Sequence, residues 1–205
     1  MTVTKNLIFD LGNVLYDINF VKMYKAFEDL GIPNFENHFT LNKSDELFFH
    51  LEKGLITEDE FCIGLNALCN LNLTPAQIIA AWNSLLVGYR NGSIEWIKDN
   101  NDKYATFLYS NTNQIHYDYF IPQFTNEIGG IFENLFKTPY YSHKMGQRKP
   151  DPASFQYILD KERLIAGETL FIDDNEPNII AAASVGLQVL YLKPGMRVEN
   201  DLIIS

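Results

Sequence analysis

Five short apolar runs, at Asn6–Phe9, 105–109, Thr138–Tyr141, 169–172 and 188–192, constrain the fold of this chain more than any other feature. Each is of strand length, each is bounded by polar residues, glycine or proline, and helix-like stretches separate them. Their apolarity is nearly continuous rather than alternating, as expected of strands covered on both faces. Strands that alternate with helices predict an α/β fold with a doubly wound parallel sheet.

The spacing is uneven. Far more chain lies between the first run and the second than one crossover helix needs, and most of it has helical periodicity. A helix is predicted over 20–30, ended by Gly31 with Pro33 just beyond. Thr57-Glu58-Asp59-Glu60 reads as a capping box ahead of Phe61, Ile63, Leu65 and Leu68. Thr74-Pro75-Ala76-Gln77 repeats the signal, with proline at the first helical position, before Ile78, Ile79, Trp82, Leu85 and Leu86. Residues 17–90 are therefore expected to form a helical cap inserted after the first strand, with 1–16 and 91–205 forming the core. Lid aromatics such as Phe48, Phe49 and Trp82 are expected in the interior of that cap. Further on, Asp151-Pro152 signals the start of a helix over 153–159, and 178–185 reads as a small-residue helix closed by Gly186.

With 205 residues, 46% hydrophobic, including 15 Phe and 11 Tyr, the chain can build a real core. Its formal net charge of −10, with no long basic run, argues against a nucleic-acid partner. Cys62 and Cys69 fall in one predicted helix about 10 Å apart, beyond disulfide reach, which suits a reducing compartment. The opening residues lack the long apolar stretch of a secretory signal, and no run approaches a membrane span. A cytoplasmic protein, a monomer or homodimer with no membrane partner, is expected.

In open parallel sheets, ligands bind beyond the carboxyl ends of the strands. The residues there are Asp10, Ser110-Asn111-Thr112, Lys149-Pro150 and Asp173-Asp174. A carboxylate, a hydroxyl beside an amide, an ammonium and a carboxylate pair would thus meet at one edge. These groups suit phosphoryl transfer through a covalent aspartyl phosphate. Asp10 can attack phosphorus. Asp10 with Asp173 or Asp174 can hold Mg²⁺, while Lys149, Ser110 and a nearby backbone N–H neutralise phosphoryl oxygens. Taken singly, each of these residues reads as well as a turn or cap residue. What carries the reading is their order, with each one at a strand end.

The ordered set Phe9-Asp10-Leu11-Gly12-Asn13-Val14-Leu15, Leu108-Tyr109-Ser110-Asn111-Thr112, Gly146-Gln147-Arg148-Lys149-Pro150-Asp151 and Phe171-Ile172-Asp173-Asp174-Asn175 resembles the haloacid dehalogenase superfamily. Its opening, with Asp17 following, is similar to the α-D-glucose-1-phosphate phosphatase type. The resemblance covers essentially the whole chain. It implies a Rossmann-like core, Mg²⁺, and an aspartyl-phosphate intermediate on a small phosphorylated metabolite. It further implies Asp10 as nucleophile and metal ligand, the Gly12 carbonyl and Asp174, with Asp173, as further ligands, and Ser110, Asn111 and Lys149 as phosphate-binding groups.

One position departs from the pattern. Where phosphatases of the superfamily carry a second aspartate as general acid, this chain has Gly12, and general acid help is worth about 10²–10⁴-fold. Three explanations stand open: another carboxylate acts, with Asp17 the nearest candidate; the leaving group is a good one; or turnover is slow. The competing reading of Asp17 is a cap for the helix starting near Phe20. His38, His50, His116 and His143 show no metal-ligand spacing; His116, just beyond the second motif, is within reach of the cleft mouth but is expected at the surface. A metal-free 2-haloacid dehalogenase and a weakly active regulatory or binding homologue are the alternative functions.

Overall fold

The computed structural model describes residues 3–40 and 45–204. Its central sheet joins β1 (Asn6–Phe9), β4 (Ala105–Ser110), β5 (Thr138–Tyr141), β6 (Thr169–Asp173) and β7 (Gln188–Tyr191) in the order β5-β4-β1-β6-β7. Every pairing in it is parallel. The five predicted strands are all present, shifted by at most one residue at their carboxyl ends.

Alternate residues of the inner strands enter two different cores, which is why the runs are continuously apolar. Leu7, Phe9, Leu108, Leu170 and Ile172 pack on one face, where α5 (Asn91–Asn100), α6 (Gln114–Glu127) and α10 (Val198–Asp201) bring Ile94, Ile97, Phe120, Phe124 and Val198. Ile8, Phe107, Tyr109 and Phe171 pack on the other, against Phe155, Ile158 and Leu159 of α8 (Pro152–Glu162) and Ala181 and Ala182 of α9 (Glu176–Ser184). The helix starts follow the sequence signals: Asp151 accepts from the Ala153 N–H, with Pro152 next in the first turn.

Between β1 and β4 run α1 (Phe20–Asp29), α2 (Glu46–Glu52), α3 (Glu58–Cys69) and α4 (Pro75–Asn83). Thr57 and Thr74 form the two expected capping boxes, each with its hydroxyl accepting from a backbone N–H and with Glu60 or Gln77 reaching back. These helices enclose a third apolar cluster. Trp82 lies at its centre, with the rings of Phe39, Phe48 and Phe61 at 4.8, 5.4 and 5.5 Å. Phe48 and Trp82 are fully buried as expected, but Phe49 is 37% exposed. Its ring lies under the Arg148 guanidinium rather than in the cluster.

The segment is not wholly helical. β2 (Tyr16–Ile18) and β3 (Leu86–Tyr89) form an antiparallel ribbon at its two ends, so Leu86 belongs to a strand and not to the helix predicted from it. Further along, the turn after α2 comes close to α7 (Ser142–Met145). Gly54 has φ +65°, and a Cβ on it would lie 2.2 Å from the His143 carbonyl oxygen.

Candidate active site

The chain order explains where the polar residues meet. After β1 it runs out to β4 and β5, then returns to β6 and β7 on the other side. The crevice at that reversal lies beyond the ends of β1 and β6, between Asp10 and Asp173. Asp10 is anchored there by its N–H, which donates to the Ile172 carbonyl at 2.9 Å.

Lys149 unites the site. Its Nζ donates to Asp10 Oδ1 at 2.6 Å and to Asp173 Oδ2 at 2.7 Å, with both contacts buried. The ammonium also lies 5.3 and 5.4 Å from the ring centres of Tyr109 and Phe171. Asn111 fixes the lysine's backbone from the end of β4. Its Nδ2 donates to the Lys149 carbonyl and its Oδ1 accepts from the Lys149 N–H, each at 2.9 Å. The Asn111 side chain is therefore engaged in positioning Lys149, while the residue also lines the pocket that holds Asp10. What Asn111 offers a ligand is its backbone. Ser110 is buried beside it.

Asp173 and Asp174 are differently placed. Asp173 is fully buried, and its two oxygens accept from Lys149, the Asn175 N–H and Asn178 Nδ2. Asp174 accepts from Asn13 Nδ2 at 2.9 Å and lines the same pocket as Asp10 and Gly12. Carboxylate oxygens of Asp10, Asp173 and Asp174 lie within 4.8 Å of one another.

The electrostatics are unbalanced. Burial pushes the Asp10 carboxyl up to about 7; Lys149 opposes this, and Asp173 and Asp174 add to it. Burial and Asp173 push Asp174 up to about 6 against the hydrogen bond from Asn13 and the charge of Lys149. Lys149 would lose its proton more easily by burial alone, but Asp10 and Asp173 hold it firmly protonated. Three clustered carboxylates against one ammonium leave a negative excess that an oxygen-loving divalent cation would neutralise. The donor set fits Mg²⁺.

Asp17 does not join this group. It accepts from Arg90 Nε at 2.7 Å and Arg197 at 3.2 Å. Partial burial would raise its carboxyl, but the two guanidiniums prevail and lower it, the wrong direction for a general acid. Nor does it cap α1, since Asn19 accepts from the Lys22 N–H. Arg90 also donates to the Asn13 carbonyl, so the Asp17 cluster braces the loop that carries Asn13.

The opposite wall of the pocket, a cavity of about 90 Å³, comes from residues that, His116 apart, sequence reasoning did not single out. Ile18, Phe20, Phe39 and Leu85 make it apolar, and Glu52 and His116 add polar groups. Glu52 approaches Arg148 at 2.9 Å. His116, expected at the surface, is only 5% exposed. Burial lowers its imidazole to about 3, so it is neutral. The signal was present: His116, Phe120 and Phe124 are spaced by four, on the face of α6 that turns inward.

This fold and this set of strand-end groups define the class. The chain belongs to the haloacid dehalogenase-like hydrolases, whose family model matches residues 4–186. It is 28% identical over 201 residues to a D-ribitol-5-phosphate phosphatase of Bacteroides thetaiotaomicron, covering 98% of this chain and 97% of that protein. It is 27% identical to a sesquiterpene phosphatase of Aspergillus oryzae, covering 98% and 96%. Among solved structures, a haloacid dehalogenase family enzyme of B. thetaiotaomicron, an aspartate-to-alanine variant in complex with magnesium and inorganic phosphate, superposes with TM-score 0.89 at 32% identity, covering 94% of this chain and 95% of that one. The sugar phosphate named among these relatives is thus ribitol 5-phosphate, not the glucose 1-phosphate that the opening motif suggested. No helix among the described residues is long and apolar enough to cross a membrane.

Proposed function

We propose that this chain is a Mg²⁺-dependent phosphatase of small phosphorylated metabolites, of the sugar- or polyol-phosphate class, working through an aspartyl phosphate on Asp10. The observation that carries the reading is the buried Lys149–Asp10 contact of 2.6 Å beside two further carboxylates. Lys149 engages Oδ1 of Asp10, and the other oxygen is the one that attacks phosphorus. The same ammonium, the Ser110 hydroxyl and the Asn111 backbone N–H gather the phosphoryl oxygens. Asp10, Asp174 and the Gly12 carbonyl would hold the cation, and Asp173, its oxygens already taken by protein donors, braces Lys149. When bound, Mg²⁺ supplies the positive charge that makes an anion's attack on a phosphate tolerable.

Proton delivery to the leaving oxygen falls to Glu52, which lines the pocket from α2. Burial raises its carboxyl, as a general acid requires, and Arg148 and Lys149 moderate the shift. Residues 17–90 serve as the cap and 1–16 with 91–205 as the core; the separate aromatic cluster and the ribbon of β2 with β3 support that division. The free thiols of Cys62 and Cys69 support a cytoplasmic setting.

The test is phosphate release from a panel of sugar and polyol phosphates, ribitol 5-phosphate and glucose 1-phosphate included, with Mg²⁺ and after EDTA. Turnover that EDTA abolishes and Mg²⁺ restores is expected. Undiminished release in EDTA would overturn the reading, and no release from any ester would leave the binding homologue in its place.

A further inference from the structure

His116 is a buried polar side chain whose local contacts account for only half of it. Its ring stacks on Trp82, with centres 4.9 Å apart and planes 10° from parallel. Nδ1 meets Asn83 Oδ1 at 2.9 Å. The N–H of the same residue donates to Asn113 Oδ1 at 3.0 Å, and that oxygen also receives the Trp82 indole N–H at 3.4 Å. The imidazole is thus clamped between the last turn of α4, in the segment between β1 and β4, and the first turn of α6 in the core.

Its other nitrogen has no such place. Nε2 is buried without a hydrogen-bond partner. With Asn83 presenting its oxygen, Nδ1 carries the proton and Nε2 is an acceptor. A buried acceptor left unmade costs the desolvation of the group, so a rigidly held one is retained where something fills it. The residue lines the pocket that also holds Asp10 and Lys149, on a wall where Ile18, Phe20, Phe39 and Leu85 are apolar and Glu52 adds another polar group. Neutral and immobile, it suits a hydroxyl and not a second anion.

We infer that His116 is a specificity-determining residue, whose Nε2 accepts a hydrogen bond from a hydroxyl on the organic part of the phosphate ester. The inference rests on the phosphatase reading above and deepens it. It predicts that the enzyme discriminates a hydroxylated chain from a bare alkyl chain of equal length.

The experiment compares kcat/KM for ribitol 5-phosphate and for pentyl phosphate, both primary alkyl esters, in the wild type, His116→Phe and His116→Gln. Phenylalanine keeps the stack on Trp82 and removes the acceptor; glutamine keeps a polar end. The ratio of the two kcat/KM values is expected to fall roughly 10-fold in His116→Phe and less in His116→Gln. A merely structural role slows both substrates alike and leaves the ratio in place. A ratio unchanged within about twofold in His116→Phe would overturn the inference. Thermal melts confirm folding, and if the phenylalanine variant does not fold, His116→Leu, which also removes the acceptor, is read by the same ratio and the same twofold limit. A wild type that hydrolyses neither ester but releases phosphate from p-nitrophenyl phosphate would overturn the polyol reading and this inference together. That result is distinct from an active enzyme whose preference ignores His116.

Discussion

At the strand ends, Asp10 and Asp173 share the single ammonium of Lys149, with an Asp174 oxygen within 4.8 Å of both carboxylates; in the segment between β1 and β4, Trp82 is surrounded by the rings of Phe39, Phe48 and Phe61. Both regions are nearly dry. In the first, every buried charge has to be answered by another charge or a fixed donor, and the account does not close on protein groups alone. In the second, burial of apolar surface is favourable throughout and asks for no partner. Reactivity and robustness are therefore carried by different parts of the same chain, and substitutions in the two should have separable effects.

Asp10→Asn breaks the comparison most sharply. Phosphate release is expected to fall by about 10⁴-fold or more, on the order of 5 kcal/mol in the barrier, since the amide cannot attack. The melting temperature should hold or rise, because a carboxylate disfavoured by burial becomes a neutral group. A large loss of stability together with activity would show that the two regions are not separable. Phe48→Ala should do the opposite. Emptying a fully buried ring site costs about 3–5 kcal/mol, roughly 6–20 °C in Tm at this chain length. Activity measured well below the transition should persist.

Removing the cation tests the charge imbalance directly. Asp10 at about 7 and Asp174 at about 6 both lie above the ordinary carboxylate value of 3.8. The folded, cation-free protein therefore binds more protons than the unfolded chain between those limits, and its stability falls as pH rises through that window. The melting temperature of EDTA-treated protein should drop between about pH 5 and pH 8, and Mg²⁺ should restore it more at the higher pH. Equal rescue at both would sink the argument. Asp17→Asn gives the smallest effect, less than ~1 kcal/mol, because this ion pair is half open to solvent. Its carboxyl is lowered, so its contribution is present above the ordinary carboxylate range and lost as pH falls through the folded value. A selective slowing of alkyl over aryl phosphates in this variant would return Asp17 to the acid role.

Much of this was legible in the sequence because it rests on local pattern. Continuous runs such as 105–109, of strand length and bounded by polar residues, read as doubly covered strands, and Thr57, Thr74 and Asp151 carry their helix starts in their own side chains. The meeting of Asp10 with Asp173 and Asp174 followed from the rule that strand ends meet, whereas Lys149 reaches them from beyond α7. What escaped depends on partners distant in the chain. β2 and β3 are three and four residues long, too short to show a period, and exist because they pair with each other. Asp17 looked free because Arg90 and Arg197 lie far along the sequence. That the Asn111 amide matches the backbone of Lys149 escaped as well, because nothing local shows it. His116 was misplaced for a different reason: polarity outweighed its position on the inward stripe of α6.

Gly54 bears on how this enzyme could be tuned. Its backbone approaches the His143 carbonyl so closely that even a methyl group would collide, in a conformation side chains also resist. The turn after α2 therefore rests on bare main chain of α7 at that point. A change there would shift the turn that closes α2, and with it Glu52 at the end of that helix, so residue 54 would act on the site through position alone.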